Sequence, residues 1–209
     1  LPMGSIVPDK LAIEHFVLNR PYGCFIDRHS KVTIVAPSSS MDPAIGYYAY
    51  YLAKIGGFNL VSRELGVSRP YRSFYNQTFK GEVPGLEEFM SDMNSLTSEP
   101  DSWVVTLLPS SGASEPEFDT QLHIGFGGPK GDPTFGAPDL LVKDTAKADQ
   151  LFNDIEATVQ SKYGFFTDRQ KYHSTDSPEL FVRKLSNASS VNAFVLRIAW
   201  SVLLWNPKK

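Results

Sequence analysis

The chain has 209 residues, of which 42% are apolar and 21% charged, proportions of a globular domain rather than of a disordered or fibrous polymer. Its formal charge of −3, from 20 basic and 23 acidic residues, gives no electrostatic footprint for nucleic acid, whose binding needs a clustered basic surface. Cys24 is the only cysteine, which excludes an internal disulfide and any zinc site built on more than one thiolate.

Residues 11–18 are apolar and short, and fit helix and strand equally. Residues 24–26 and 31–36 read as strands, joined by the polar Asp27-Arg28-His29-Ser30 in what the pattern predicts as a hairpin. Asp42 followed by Pro43 predicts a helix start, and Gly56-Gly57 its left-handed end near Ile55. Ala44, Ile45, Tyr48, Ala49, Leu52 and Ile55 form its apolar face, with Tyr47, Tyr50 and Lys54 on the remainder.

Residues 58–65 and 71–79 read as strands about a turn near Gly66. Pro84 opens a second predicted helix carrying Leu86, Phe89, Met90, Met93 and Leu96 at helical spacing. Residues 103–108 are apolar on both faces, the pattern of a central strand covered twice. Residues 117–126 alternate as a strand, with Glu117, Asp119, Gln121 and His123 on one side. The Gly- and Pro-rich residues 127–138 form a loop, and residues 140–142 a candidate short strand.

Asp144 predicts the cap of a third helix bearing Leu151, Phe152, Ile155, Val159 and Tyr163, ended by Gly164. Ser177-Pro178 opens a fourth near Phe181. Asp168, Arg169, Lys171 and His173 read as a polar loop. Residues 191–205 close the chain as a buried strand or helix. Asn192, Arg197 and Ser201 interrupt them, and they fall short of a bilayer span.

The expected fold is a single α+β domain over residues 1–209, with a mixed or antiparallel sheet and helices packed on it. Its first half follows the order of a split β-α-β-β-α-β unit. The alternative is a three-layer α/β sheet, favoured if residues 103–108 run parallel to their neighbours and are covered on both faces. The stretch from residue 31 to 64 resembles the opening strand–helix–strand of LD-carboxypeptidases. The Gly-rich turn ending in Gly-Ser that carries that family's nucleophile does not occur downstream, so the resemblance implies a local fold and no activity.

Four sets of residues are candidates for chemistry. His123, with Asp119 or Glu117, shares a strand face and suits a metal-free acid or base near neutral pH, although such a face usually meets water. Lys130, in the glycine-rich stretch after that strand, is a candidate anion ligand, but Pro129 and Asp132-Pro133 break the phosphate-loop pattern. Ser38 and Ser39, ahead of the first helix, offer hydroxyls to an anion. Tyr47 and Tyr50 suit a recognition surface. The four histidines show no metal-ligand spacing, and no cofactor or metal is implied.

The expected function is therefore a binding or interaction domain that holds a protein partner or a small molecule. The alternative is an enzyme using His123. No nucleic acid and no membrane span are expected. Residues 1–10 lack the pattern of a signal peptide, and the lone cysteine favours a cytoplasmic setting.

Overall fold

The structure is a computed structural model that describes residues 18–39, 43–65, 84–110, 120–126, 141–169, 181–199 and 202. Seven strands form one mixed sheet: β1 (Gly23–Ile26), β2 (Val32–Ala36), β3 (Asn59–Arg63), β4 (Trp103–Ser110), β5 (Thr120–Gly125), β6 (Phe166–Arg169) and β7 (Asn192–Ala199). Their order across the sheet is β1-β3-β2-β4-β7-β5-β6. The helices are α1 (Pro43–Gly56), α2 (Leu86–Leu96) and α3 (Thr145–Tyr163), with a 3₁₀ turn at Phe181–Lys184.

The four middle strands, β3, β2, β4 and β7, are mutually parallel. β1 runs antiparallel to β3 at one side, and β5 runs antiparallel to β7 at the other. Parallel strands buried on both faces need near-continuous apolar runs. Val32-Thr33-Ile34-Val35-Ala36, Trp103-Val104-Val105-Thr106-Leu107-Leu108 and the body of β7 supply them.

Alternation along these strands divides the interior into two layers. On the front face, Val35, Val61, Val104 and Ala193 meet Phe89 and Met93 of α2 and Phe181 and Val182 of the 3₁₀ turn. On the back face, Ile34, Leu60, Leu107 and Ile198 meet Ile45, Ala49 and Ala53 of α1. Further along that face, Ile124 and Phe194 meet Ala148 and Phe152 of α3.

The fold is thus α+β with helices packed on a mixed sheet. The condition set for the three-layer alternative is also met, because β4 is parallel on both sides and covered on both faces. Where described, the first half keeps the element order of the split unit, but β2 and β3 pair directly rather than through an intervening strand. The strand expected at residues 71–79 lies outside the described residues.

Several local expectations need correction. β1 and β2 are strands but not a hairpin, because β3 lies between them and pairs with both. The side chain of Asn59 organises the connection. Its Oδ1 accepts from Arg28 N at 2.8 Å and Ser30 N at 3.2 Å, and its Nδ2 donates to Ser30 O at 2.7 Å. α2 opens after Gly85, whose φ of 77° is left-handed, so Pro84 lies ahead of the helix rather than at its first position. Asp168 and Arg169, read as part of a polar loop, belong to strand β6, which runs parallel to β5. The described part of the fourth helix is only the 3₁₀ turn, and residues 192–199 of the closing apolar run are strand β7.

α1 is rolled relative to its expected face. Ile45, Ala49, Tyr50 and Ala53 are buried, whereas Ile55 is 68% exposed. α3 behaves as its sequence predicts at both ends. Asp144 accepts from Lys147 N at 3.1 Å, and Gly164 caps the far end with a φ of 66°.

Candidate functional site

Among the described residues, α1 and α3 cover the back of the sheet, and between them lies an apolar cleft of about 780 Å³. Its floor comes from Ile34, Val105, Leu196 and Ile198 of the sheet. Tyr48, Tyr51 and Leu52 of α1 form one wall, and Leu151, Ile155 and Val159 of α3 the other. Leu52 and Tyr51 remain over a third exposed at its rim, and Tyr163 more than half. Lys147, a largely exposed side chain, also borders it, held 3.7 Å from Asp144.

The α1 tyrosines that reach the cleft are Tyr48 and Tyr51 rather than the Tyr47 and Tyr50 singled out from the sequence. Tyr50 is buried in the core beneath α1. Tyr47 is half-buried and stacks on Tyr51 with ring centres 6.1 Å apart. Tyr48 donates its hydroxyl to Val202 O at 3.4 Å. The helical period explains the difference, since a modest roll exchanges neighbouring positions between core and cleft.

Ser38 and Ser39 are buried at the carboxyl end of β2. Ser39 Oγ donates to Arg63 O at 2.6 Å and lies 2.9 Å from Ser62 Oγ, and Ser62 in turn hydrogen-bonds Glu64. These hydroxyls fasten the end of β2 to the end of β3. Glu64 also presses on α1, since a Cβ built at Gly46 would stand 2.6 Å from Glu64 Oε1.

His123 is 3% exposed, so its position on β5 is covered and not solvated as alternation suggested. Asp119, Glu117 and Lys130 lie outside the described residues. Opposite His123 in the register are Arg197 on β7 and Asp168 on β6. Burial pulls the Arg63 guanidinium below its ordinary value. Cys24 is a free, buried thiol; burial first and the charge of Glu64 second push it up to about 11, which suits a core residue rather than a nucleophile.

Among the described residues no cluster of three His, Cys, Asp or Glu side chains is placed to hold a metal, and no helix is long and apolar enough to cross a membrane. No protein-family model and no curated protein matches the sequence. Among solved structures, the chain is similar to the crystal structure of gene product Atu2144 from Agrobacterium tumefaciens. The match has 9% identity, covers 92% of this chain and 90% of that one, and has a TM-score of 0.45.

Proposed function

We propose that this chain is a binding protein for a small amphipathic molecule, whose hydrocarbon part lies in the cleft between α1 and α3. The observation that carries this reading is the cleft itself. Its volume of about 780 Å³ falls within the roughly 300–1,000 Å³ of small-molecule sites. Its walls are aliphatic and aromatic, with Lys147 the one charged side chain among the described residues that line it. That distribution matches a ligand with an apolar body and a polar end. Lys147 at the border gives a negatively charged head a partner, so the reading commits to an anionic amphipath such as a long-chain carboxylate. The exposed rim of Tyr51, Leu52 and Tyr163 gains from being covered, since buried apolar surface contributes about 25 cal/mol per Å².

Trp103 lines the cleft and reports on it directly. Titration with a brominated fatty acid is expected to quench its fluorescence saturably, with one ligand per chain. Val159→Trp, which fills the space from α3, should weaken binding at least tenfold. Lys147→Gln should weaken the acid but not its methyl ester. Quenching that never saturates, or that Val159→Trp leaves unchanged, overturns the proposal.

A further inference from the structure

The cleft between α1 and α3 has two chemically different ends. Lys147, Leu151, Ile155, Val159 and Tyr163 line it from α3 at intervals of four residues, a row that crosses the helix surface obliquely. Lys147 and Tyr163 stand sixteen residues apart on that helix, about 24 Å of rise. In the floor, Trp103 pairs with Asn192 and Pro109 with Ile198, so the rows of Trp103 and Ile198 are six residues apart, about 20 Å of strand. The start of α3 is fixed to the start of β7, since Lys143 N donates to Asn192 Oδ1 at 2.9 Å. The end of α3 leads into β6, and Leu122 of β5 pairs with both Thr167 of β6 and Ile198 of β7. Lys147 and Trp103 therefore mark one end of the cleft, and Tyr163 and Ile198 the other. The first end carries the largely exposed ammonium of Lys147. The second is bridged, because Tyr48 of α1 donates to Val202 O at 3.4 Å and both residues line the cleft.

We infer that the cleft selects its ligand by chain length and holds it in one direction, an inference that rests on the amphipath reading above. The ligand is an unbranched carboxylate of about 16 carbons, its head at Lys147 and its terminal methyl against Tyr48 and Val202. The length follows from the floor. An extended hydrocarbon with C–C bonds of about 1.5 Å advances about 1.3 Å per carbon, so about 16 carbons fill about 20 Å. A shorter chain leaves apolar wall wet and loses burial with each missing methylene. A longer chain must break the Tyr48 bridge, bend, or push its carboxylate past Lys147. The direction follows from the charges. Lys147 is the one charged side chain among the described residues lining the cleft, and a carboxylate turned toward the bridged end would be buried without a cation. Tyr48 and Val159 are on this account the residues that set the length.

The test is calorimetric titration of the full chain with saturated fatty acids of even length from about 10 to 20 carbons, each below its micelle concentration. Affinity is expected to rise severalfold with each added pair of carbons up to about 16. The 20-carbon acid should then bind at least threefold more weakly than the 16-carbon acid. Tyr48→Ala, which opens the bridged end, should move the optimum to 18 or 20 carbons. Val159→Trp, which fills the half of the cleft near that end, should weaken the 16-carbon acid at least fivefold more than the 10-carbon acid. Where the circular dichroism of Tyr48→Ala departs from the parent, the comparison of the two acids in Val159→Trp decides. Saturable binding whose affinity climbs steadily through 20 carbons, an optimum outside 14 to 18 carbons, or a Val159→Trp variant that weakens both acids alike overturns the inference and leaves the amphipath reading standing. A folded Tyr48→Ala variant that keeps the parent's optimum does the same. Absence of saturable binding by every acid overturns both.

Discussion

Tyr22 donates its hydroxyl hydrogen to Asp92 Oδ2 at 2.7 Å, joining positions 70 residues apart. Arg20 Nε reaches the same oxygen at 2.7 Å. The three side chains tie the entry to β1, at the edge of the sheet, to the middle of α2. Hydrogen bonds to a charged group contribute about 1.5–3 kcal/mol, and an orphaned buried partner costs its full desolvation. Tyr22→Phe should therefore destabilise by about 1–2 kcal/mol, since Asp92 keeps Arg20. Asp92→Ala should cost more, about 2–4 kcal/mol, because it strands the buried Tyr22 hydroxyl. Urea unfolding of both variants checks the order. Equal and negligible losses would show that the triad does not hold α2.

Stability should fall on the alkaline side. Burial, and then the bond to Asp92, raise the Tyr22 phenol above its ordinary value, and burial raises Tyr47 and Tyr48. Burial and the charge of Glu64 raise Cys24 from 9.0 to about 11. Each group holds its proton more tightly folded than unfolded, so its contribution is complete below the unfolded value and disappears as pH rises through the folded one. For the thiol the window is pH 9 to about 11, over which it removes on the order of 2–3 kcal/mol. Unfolding free energies measured at pH 7, 9 and 10.5 should decline, and Cys24→Ser should flatten the first part of the decline. A constant stability up to pH 10.5 contradicts this.

The parts of the fold that could be read from sequence are those fixed by neighbours in the chain. The Asp144 cap, the Gly164 terminus and the two-faced apolar run of β4 each state their role within a few residues. Strand partners are not stated in that way. Residues 24–26 and 32–36 look the same whether they pair with each other or flank β3. Phe166-Thr167-Asp168-Arg169 has no strand alternation strong enough to mark an edge strand. The cleft draws residues from β2, α1, β4, α3 and β7, so no single segment carries its signal. His123 was visible as a candidate, but its burial depends on what covers the front of β5, and alternation cannot tell covered polar faces from wet ones.

Asn59 is the residue on which the path from β1 to β2 depends. It is 1% exposed, and besides the loop it reaches Thr33 Oγ1 at 3.3 Å. Asn59→Ala leaves Arg28 N, Ser30 N and Ser30 O without these partners in a partly buried turn. The expected cost is about 2–4 kcal/mol, from several groups left unsatisfied at about 1–3 kcal/mol each with some rescue by water. Asn59→Asp keeps the two acceptor bonds and should cost less. Hydrogen exchange should show faster exchange at Arg28 N and Ser30 N in the Ala variant. Unchanged protection there would mean that the backbone holds the turn unaided.

Gly46 offers the sharpest test of how closely α1 approaches the strand ends, because two effects of its replacement have opposite signs. Inside a helix, Gly→Ala is ordinarily stabilising by about 1 kcal/mol. Here the new methyl would stand 2.6 Å from Glu64 Oε1 and 2.8 Å from Ser39 Cβ. Glu64 is held by its bond to Ser62, and Ser39 by its bond to Arg63 O, so neither can yield without loosening the brace between β2 and β3. Overpacking of this kind costs about 1–3 kcal/mol. The net expectation is that Gly46→Ala destabilises. Shortening Glu64 in the Gly46→Ala, Glu64→Ala double variant should return part of the loss, a coupling expected for groups in contact. A Gly46→Ala variant more stable than the parent would place α1 farther from the sheet than these distances require.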